Sequence, residues 1–394
     1  MALITISLFG LLHLIIFFIY SEKKNNFINP LTYIFGISFL TSYFLPAIYL
    51  FKFDINYNIS FGLIINYLLL FTEFFIYFLT LSYIKVPDYE IFRSSTNRKN
   101  LIFYLLFYFF LIVILFYTGN IILDQFQSNL TPREYYSLTR QSSQSLFILS
   151  FSILIFFIIS LIYLKSPIYK FLIFCFLFFG SFFLGTKSSL VSLIMVYLFS
   201  FTFQSKLRIN LKKISIITLF IFVAISLSPF LQKQIINLSK YSDYIFNAEF
   251  LINNSTKHSY GKFFIEDNFY SRIPRKLFEY KPFFFGSQEL SYIVNPSQTI
   301  SMEGSPSLGK GKIYYEFGLF SFLVIILITF FKAYCLKYFS KIISKNYNAP
   351  NFILFLYFAG ISIIQVPPAW VLPEVFIIAY LIHLTNKFSL RSKY

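Results

Sequence analysis

Apolar stretches long enough to cross a bilayer recur along this chain, and a single long hydrophilic gap, about Leu231 to Lys312, interrupts them. A hydrocarbon core of about 30 Å takes about 20 apolar residues per helix, fewer where neighbouring helices shield the ends. Eleven stretches meet that requirement: 2–20, 31–50, 61–84, 101–117, 145–163, 170–184, 189–203, 214–230, 314–334, 351–366 and 370–386. Backbone polar groups have no water to bond with at membrane depth, so such spans must be helical or form closed barrels, and runs of this length are helical. Charged residues make up 12% of the chain, against about 25% in soluble domains. The expectation is an all-α polytopic integral membrane protein: one membrane domain over residues 1–394, with an elaborated loop at 231–312.

The cations give the orientation. Lys23 and Lys24; Lys85, Arg93, Arg98 and Lys99; Lys165 and Lys170; Lys206, Arg208, Lys212 and Lys213; Lys337, Lys341 and Lys345; and Lys387, Arg391 and Lys393 occupy alternate connections. With eleven helices and the N-terminus outside, every one of these clusters falls on the cytoplasmic side, as the positive-inside rule requires. The C-terminus is then inside. The segments 51–60, 118–144, the GTKSS turn, the long loop and the turn at Pro367 and Pro368 are external. In a Gram-negative cell this places the long loop in the periplasm and the chain in the inner membrane.

The formal charge of +17 is carried by these short clusters between apolar runs, a pattern of topology signals rather than of a nucleic-acid surface. Cys175 and Cys335 both fall in apolar stretches, which argues against a disulfide framework or a thiolate metal site. The first twenty residues lack a basic leader and a small-residue cleavage site and are read as a first transmembrane helix. Within the long loop, Leu231, Ile235, Leu238 and Ile245 recur at helical spacing among Lys233, Lys240 and Asp243, which predicts a short amphipathic helix on the membrane surface or an extension of the preceding span.

Chemistry is expected in the external segments. The run SRIPRKLFEYKPFFFG holds Arg272, Arg275, Lys276 and Lys281, with Gly286 beyond Arg275. A guanidinium fork binds a phosphate bidentately and more strongly where it is partly desolvated, so anionic substrates come first. Arg133 and Arg140 lie in the external loop NLTPREYYSLTRQ, where they either meet the long loop or snorkel to the interface. Lys187, in FFLGTKSSL, is the lone charge between two apolar runs, with Gly185 and Ser188 leaving room for an anionic headgroup. The segment SMEGSPSLGKGKIYYEFGLFSF enters the ninth span; it carries Lys310, and Glu303 or Glu316 as a possible general base, with His258 competing. His13 and His383 lie in spans and are read as core residues. Glu73, alone in the third span, is either a proton-coupling group or a hydrogen-bonded structural one. Zinc, Walker, nucleophile-elbow and Asp-x-Asp motifs are absent from the sequence, which points away from a metal site and a nucleotide-sugar donor.

These features together resemble the O-antigen and capsule repeat-unit polymerases of the Wzy type. RIPRKLFEYKPFFFG is similar to the family's loop motif of Arg, ten residues, Gly. GTKSSL resembles its short basic motif between helices, with Lys187 in place of Arg. GSPSLGKGKIYYEFGLFSF resembles the segment where the loop re-enters the membrane. Related ligases carry a His in that segment, and this chain has Glu303 or no equivalent. Arg133 and Arg140 do not reproduce a second Arg-ten-Gly motif.

The resemblance implies a fold like the GT-C glycosyltransferases and a reaction in the outer leaflet. A glycan on undecaprenyl diphosphate would pass to a sugar hydroxyl of a new lipid-linked repeat unit, with no cofactor. Arg275, Arg272 and Lys187 would stabilise the departing diphosphate without metal, and Glu303 or His258 would deprotonate the acceptor. Arg133, Arg140, Lys281, Gly286 and Lys310 would help hold substrate. Tyr260, Phe269, Tyr270 and Tyr280 would stack on sugars or pack in the core. Partners would be the undecaprenyl-diphosphate-linked oligosaccharide, membrane lipids and a chain-length regulator. A lipid-linked oligosaccharide flippase, favoured by Glu73, and an O-antigen ligase are the competing readings.

Overall fold

The computed structural model describes residues 1–53, 58–86, 144–164, 166–183, 187–205, 243–273, 277–300, 308–361 and 371–391, with a few isolated positions between them. Among these residues all regular structure is helical. Four helical stretches are long and apolar enough to cross a membrane: Ala2–Lys24, Thr32–Lys52, Phe61–Tyr83 and Gly311–Lys345. Shorter apolar helices cover parts of 145–163, 170–184, 189–203, 351–366 and 370–386. The chain is thus an all-helical polytopic membrane protein. The proposed spans 101–117 and 214–230 lie outside the described residues.

The described residues form two compact units. The first combines Met1–Lys85 with Arg208–Tyr334. Its leading helices are α1 (Ala2–Lys24), α2 (Thr32–Phe39), α3 (Leu45–Lys52) and α4 (Phe61–Tyr83), with a π-helical turn at Leu40–Phe44 joining α2 to α3. The turn has a local cause in Pro46, which has no N–H to offer the carbonyl of Ser42, four residues earlier. The Tyr67 hydroxyl of α4 donates to that carbonyl at 2.9 Å. One proline therefore creates both the irregular turn and an inter-helix hydrogen bond.

Lipid tails are as apolar as Leu, so packing and polar contacts, rather than water exclusion, hold these helices together. Aromatic rings supply much of the contact. Phe17 stacks on Phe35 with centroids 4.1 Å apart, and His13 stacks on Phe74 at 4.5 Å. His13 is fully buried, with Nδ1 3.0 Å from the Phe9 carbonyl and 3.1 Å from the Tyr43 hydroxyl, which makes it a core residue as expected. His383 is instead exposed on its helix, which corrects its core reading.

The long loop enters this unit as α8 (Asp243–Asn253), α9 (Lys262–Tyr270), α10 (Ser287–Val294), α11 (Pro296–Ile300) and α12 (Gly311–Phe317). Helix α8 docks on the start of α4. Ser60 caps α4 by accepting from Leu63 N–H at 3.1 Å, and its own hydroxyl donates to Glu249. Asn253 accepts from Gly62 N–H at 2.8 Å, so α8 satisfies donors that the first turn of α4 leaves open. Ile245, expected on a membrane-surface helix, is 2% exposed and packs with Ala2, Ile6, Leu50, Leu63 and Tyr67. The face it shows to α4 and α1 is why it is buried; Leu231 and Leu238 lie outside the described residues.

That same cluster gathers the start of α1, the end of α3 and the start of α4 beside the loop. At the other end Lys23 lies 4.6 Å from the ring of Tyr83, the last residue of α4. The N-terminus and the loop therefore share one end of the unit, as the alternation of cations requires.

Helix α13 (Ser321–Lys345) contributes Ser321–Tyr334 to the first unit and its remainder to the second. The second unit also contains α5 (Gln144–Tyr163), α6 (Pro167–Phe183), α7 (Lys187–Ser205), α14 (Ala349–Phe358) and α15 (Leu372–Arg391). Here α7 packs on α14 through Phe199 and Phe203, each 5.2 Å from Phe355 by ring centroid, and Ser200 bonds Tyr347 at 2.8 Å.

Single cysteines at the exposed positions Met1, Asn254 and Lys24 test the arrangement in a cysteine-free background. Cysteines at residues 1 and 254 should react with an impermeant maleimide from one face of the membrane, and the one at residue 24 only from the other. Labelling of residues 24 and 254 from the same face would overturn it.

Candidate functional site

The segment from Leu308 to Phe320 organises the loop. By length and composition Gly311–Lys345 is a single apolar helix, but the backbone breaks it at Gly318 (φ 55°), followed by a 3-10 turn over Gly318–Phe320. A continuous helix would hold Lys310 about 33 Å from Lys332 at ~1.5 Å per residue. Instead both lysines act electrostatically on Glu73, and Tyr314 shares a cluster with Ile325, Ile65 and Leu69. The chain therefore turns at Gly318, and α12 packs on α8, with Gly311 against Ala248. Glycine is required at the turn: a Cβ there would sit 2.4 Å from His258 Nε2, at a positive φ that other residues avoid.

Lys312, on α12, reaches into the loop. Its ammonium donates to Asp267 Oδ2 of α9 and to Ser287 Oγ of α10, both at 2.6 Å. Ser287 donates its hydroxyl to Asp267 and its backbone N–H to Asp267 Oδ1 at 2.8 Å. Asp267 thus receives the free N–H at the start of α10 and is neutralised by Lys312, so three loop segments meet on one carboxylate. Gly286 is buried against it: a Cβ would stand 2.1 Å from Asp267 Oδ1, and φ is 55°. Its N–H donates to Glu266 Oε2 at 3.0 Å, and Glu266 faces Lys262 at 3.6 Å.

Glu316, one turn after Lys312, is 2% exposed and accepts from Phe264 N–H at 3.3 Å, with Asp267 and Glu266 nearby. His258 places Nδ1 3.3 Å from the Tyr315 carbonyl and its other ring nitrogen over Gly318. Around α12 the formal charges are two cations, Lys262 and Lys312, against three carboxylates, Glu266, Asp267 and Glu316. Such a cluster can position groups or take up a proton, but it does not attract a polyanion.

The other expected residues are distributed as follows. Arg272 is exposed just beyond α9 and donates through Nη1 to the Asn268 carbonyl at 2.6 Å. Lys281 donates to the Ile273 carbonyl at 2.9 Å and lies 4.9 Å from the ring of Phe285. Lys310 turns away from the loop and pairs with Glu73 of α4. That gives the intramembrane carboxylate a partner of opposite charge. Lys187 is the first residue of α7, in the second unit, and its side chain lies outside what is described. Arg275, Glu303, Arg133 and Arg140 lie outside the described residues. Tyr260, Phe269 and Tyr280 are 71%, 52% and 89% exposed, so core packing does not account for them. Sequence reasoning passed over Asp267, Ser287 and Lys312. The one local signal was the Glu266–Asp267 pair in an otherwise aromatic helix.

No family model matches the chain, and no solved structure does. Two curated proteins are similar along almost all of it, the O-antigen polymerases of Salmonella typhimurium and Salmonella typhi. Each is 27% identical over 401 aligned positions, covering 98% of this chain and 96% of the relative. The likeness to the O-antigen polymerases runs the length of the chain. It therefore does not rest on the loop motifs alone.

Two substitutions test the junction. Lys312→Met should destabilise the purified protein by about 3 kcal/mol, because it strands a buried carboxylate, and adding Asp267→Asn should recover part of that loss. Gly286→Ala should lower the melting temperature by more than either exposed control, Tyr280→Ala or Arg272→Ala. Additive effects of the Lys312 and Asp267 changes would show that the pair is uncoupled.

Proposed function

We propose that this chain polymerises lipid-linked oligosaccharide repeat units in a bacterial inner membrane, a reading in keeping with the name O-antigen polymerase that its relatives carry. The observation that supports this most is the 98% coverage of this chain by a polymerase alignment, in which the membrane helices and the long loop are both included. In this reading the N-terminus and the 231–312 loop face outward, and a glycan leaves undecaprenyl diphosphate for a hydroxyl of the incoming unit. The fold would be of the GT-C kind, within a single membrane domain.

Charge growing on the departing diphosphate is stabilised by donors already in position. Arg272 and Lys281 follow α9 in the chain with Arg275 between them in sequence, and in this reading these cations take the leaving group. Lys310 is a further contact in the same unit. The acceptor proton passes to a base drawn from Glu303, His258 and Glu316. The exposed rings of Tyr260, Phe269 and Tyr280 offer faces for sugars, and a chain-length regulator would act from outside. No metal or cofactor is required in this scheme.

Complementation of a polymerase-deficient strain carrying the matched sugar locus tests the reading. Wild type should restore a polysaccharide ladder on a gel, and Arg275→Ala at equal protein level should collapse it to single repeats. Glu303→Gln, His258→Ala and Glu316→Gln, assayed in parallel, identify the base as the variant that loses the ladder while keeping wild-type melting. A wild-type protein that adds nothing to the deficient strain refutes polymerisation.

A further inference from the structure

Helix α9 turns the usual division of a loop helix inside out. Its buried positions are Phe263 and Asp267, one of them a carboxylate. Its exposed positions, Lys262, Ile265 and Phe269, recur at the spacing of one helix face and put two apolar side chains on the outside. Ile265 is 65% exposed. A helix bathed in water does the opposite, with apolar residues inward and charges outward. Exposed Arg272 continues the same spacing, so cations bracket the apolar pair, as they do on helices lying in a membrane interface.

The first turn of α9 is fastened to the end of α12. The Tyr260 N–H donates to the Glu316 carbonyl at 2.8 Å, and the Phe264 N–H reaches Glu316 Oε2 at 3.3 Å. Gly261 lies so close to Phe317 that a Cβ there would stand 3.4 Å from its ring. Just beyond, Leu319 and Phe320 are each 68% exposed. Phe320 opens a stripe of exposed apolar residues that continues down α13 as Leu323, Leu327 and Phe330, again the spacing of one helix face. Because α13 belongs to a membrane-crossing stretch, that stripe faces lipid. A hydrocarbon core takes about 20 residues, and counting that far back from Lys341 reaches Ser321. Leu319 and Phe320 therefore stand at the bilayer boundary, and the first turn of α9 stands with them.

We propose that α9 is seated in the membrane boundary, with phospholipid as the partner of its exposed face: Ile265, Leu319 and Phe320 rest among the upper parts of the acyl chains. Lipid, rather than a second protein, is the partner because the apolar surface at Leu319 and Phe320 is continuous with the lipid-facing stripe of α13. The seating also accounts for the inward turn of Asp267, which meets Lys312 and the Ser287 N–H on the side of α9 away from lipid. Ile265, Leu319 and Phe320 have no part in glycosyl transfer as proposed above. The seating does not depend on the polymerase reading. Its consequence does: the cations that follow α9 in the chain would meet a lipid-borne diphosphate at the membrane surface rather than in the water beyond it.

The test uses the full chain in phosphatidylcholine nanodiscs, cysteine-free except for one labelled position: Ile265→Cys, Phe320→Cys, Leu323→Cys on the lipid face of α13, or Glu279→Cys at an exposed charged position of the loop. Each carries an environment-sensitive fluorophore, read against doxyl-labelled phosphatidylcholine and against iodide in the water. Labels at residues 265 and 320 should follow residue 323, with blue-shifted emission that the doxyl lipid quenches and iodide does not. The label at residue 279 should do the reverse. Iodide reaching residue 265 as it reaches residue 279 overturns the seating, and so does lipid quenching at residue 320 without any at residue 265. A label at residue 265 that neither quencher reaches is covered by protein, which overturns lipid as the partner. If Ile265→Cys does not fold, Phe269→Cys on the same face takes its place. The two readings fail separately. A restored ladder with residue 265 in water removes the seating and keeps the polymerase. Lipid quenching at residue 265 in a chain that restores no ladder removes the polymerase and keeps the seating.

Discussion

The buried contact of Lys312 with Asp267 fixes where everything else in the loop can stand. Removing two charges from water costs several kcal/mol per ion, and their attraction repays it only when the remaining hydrogen-bonding capacity is filled. Here it is filled: Asp267 takes the Ser287 hydroxyl, the Ser287 N–H and the ammonium, and Lys312 also donates to Ser287. The geometry leaves no room for drift. Gly286 has no side chain because one would collide with the carboxylate, so α10 approaches α9 at its closest at that residue. A looser, exposed ion pair would contribute about 0–1 kcal/mol and would not dictate backbone position.

The re-entrant segment is held from two sides for a simple geometric reason. Lys310 and Lys312 are two residues apart, about 200° around a helix axis at 100° per residue, so their side chains leave in nearly opposite directions. One meets Glu73 inside the membrane and the other meets Asp267 in the loop. The turn at Gly318 then leads into α13. A segment only seven residues long, too short to be stable as a helix alone, is thereby fixed at both a membrane helix and a loop helix. It ties the membrane helices of the unit to its loop helices.

Much of this was legible in the sequence and some could not be. Apolar run length places the helices, because backbone hydrogen bonding in lipid leaves no alternative; α1 and α4 fall where the pattern puts them, whereas the span expected at 314–334 is broken at Gly318 and its helix runs Ser321–Lys345. Cation alternation puts the N-terminus and the loop at one end, and the packing of Ala2 with Ile245 agrees. The failures share a cause, which is that pairing across long sequence separation leaves no periodic trace. Nothing in the third span names Lys310 as the partner of Glu73, and Asp267 and Lys312 are forty-five residues apart. Ile245 misled because an amphipathic spacing looks the same whether the apolar face meets lipid headgroups or α4. Pro46, by contrast, is a local signal, and it announces the irregular turn that frees the Ser42 carbonyl.

The charge arrangement also bears on which groups could serve the proposed transfer. A departing diphosphate needs cations that are not already neutralised, whereas a proton acceptor needs a carboxylate or imidazole whose surroundings do not bind the leaving group. Glu266, Asp267 and Glu316 crowd around Lys262 and Lys312, so that region repels a polyanion. Asp267 already accepts from three donor groups, so it serves to hold the junction rather than to take a proton. Glu316, with one long backbone contact at 3.3 Å, retains that capacity.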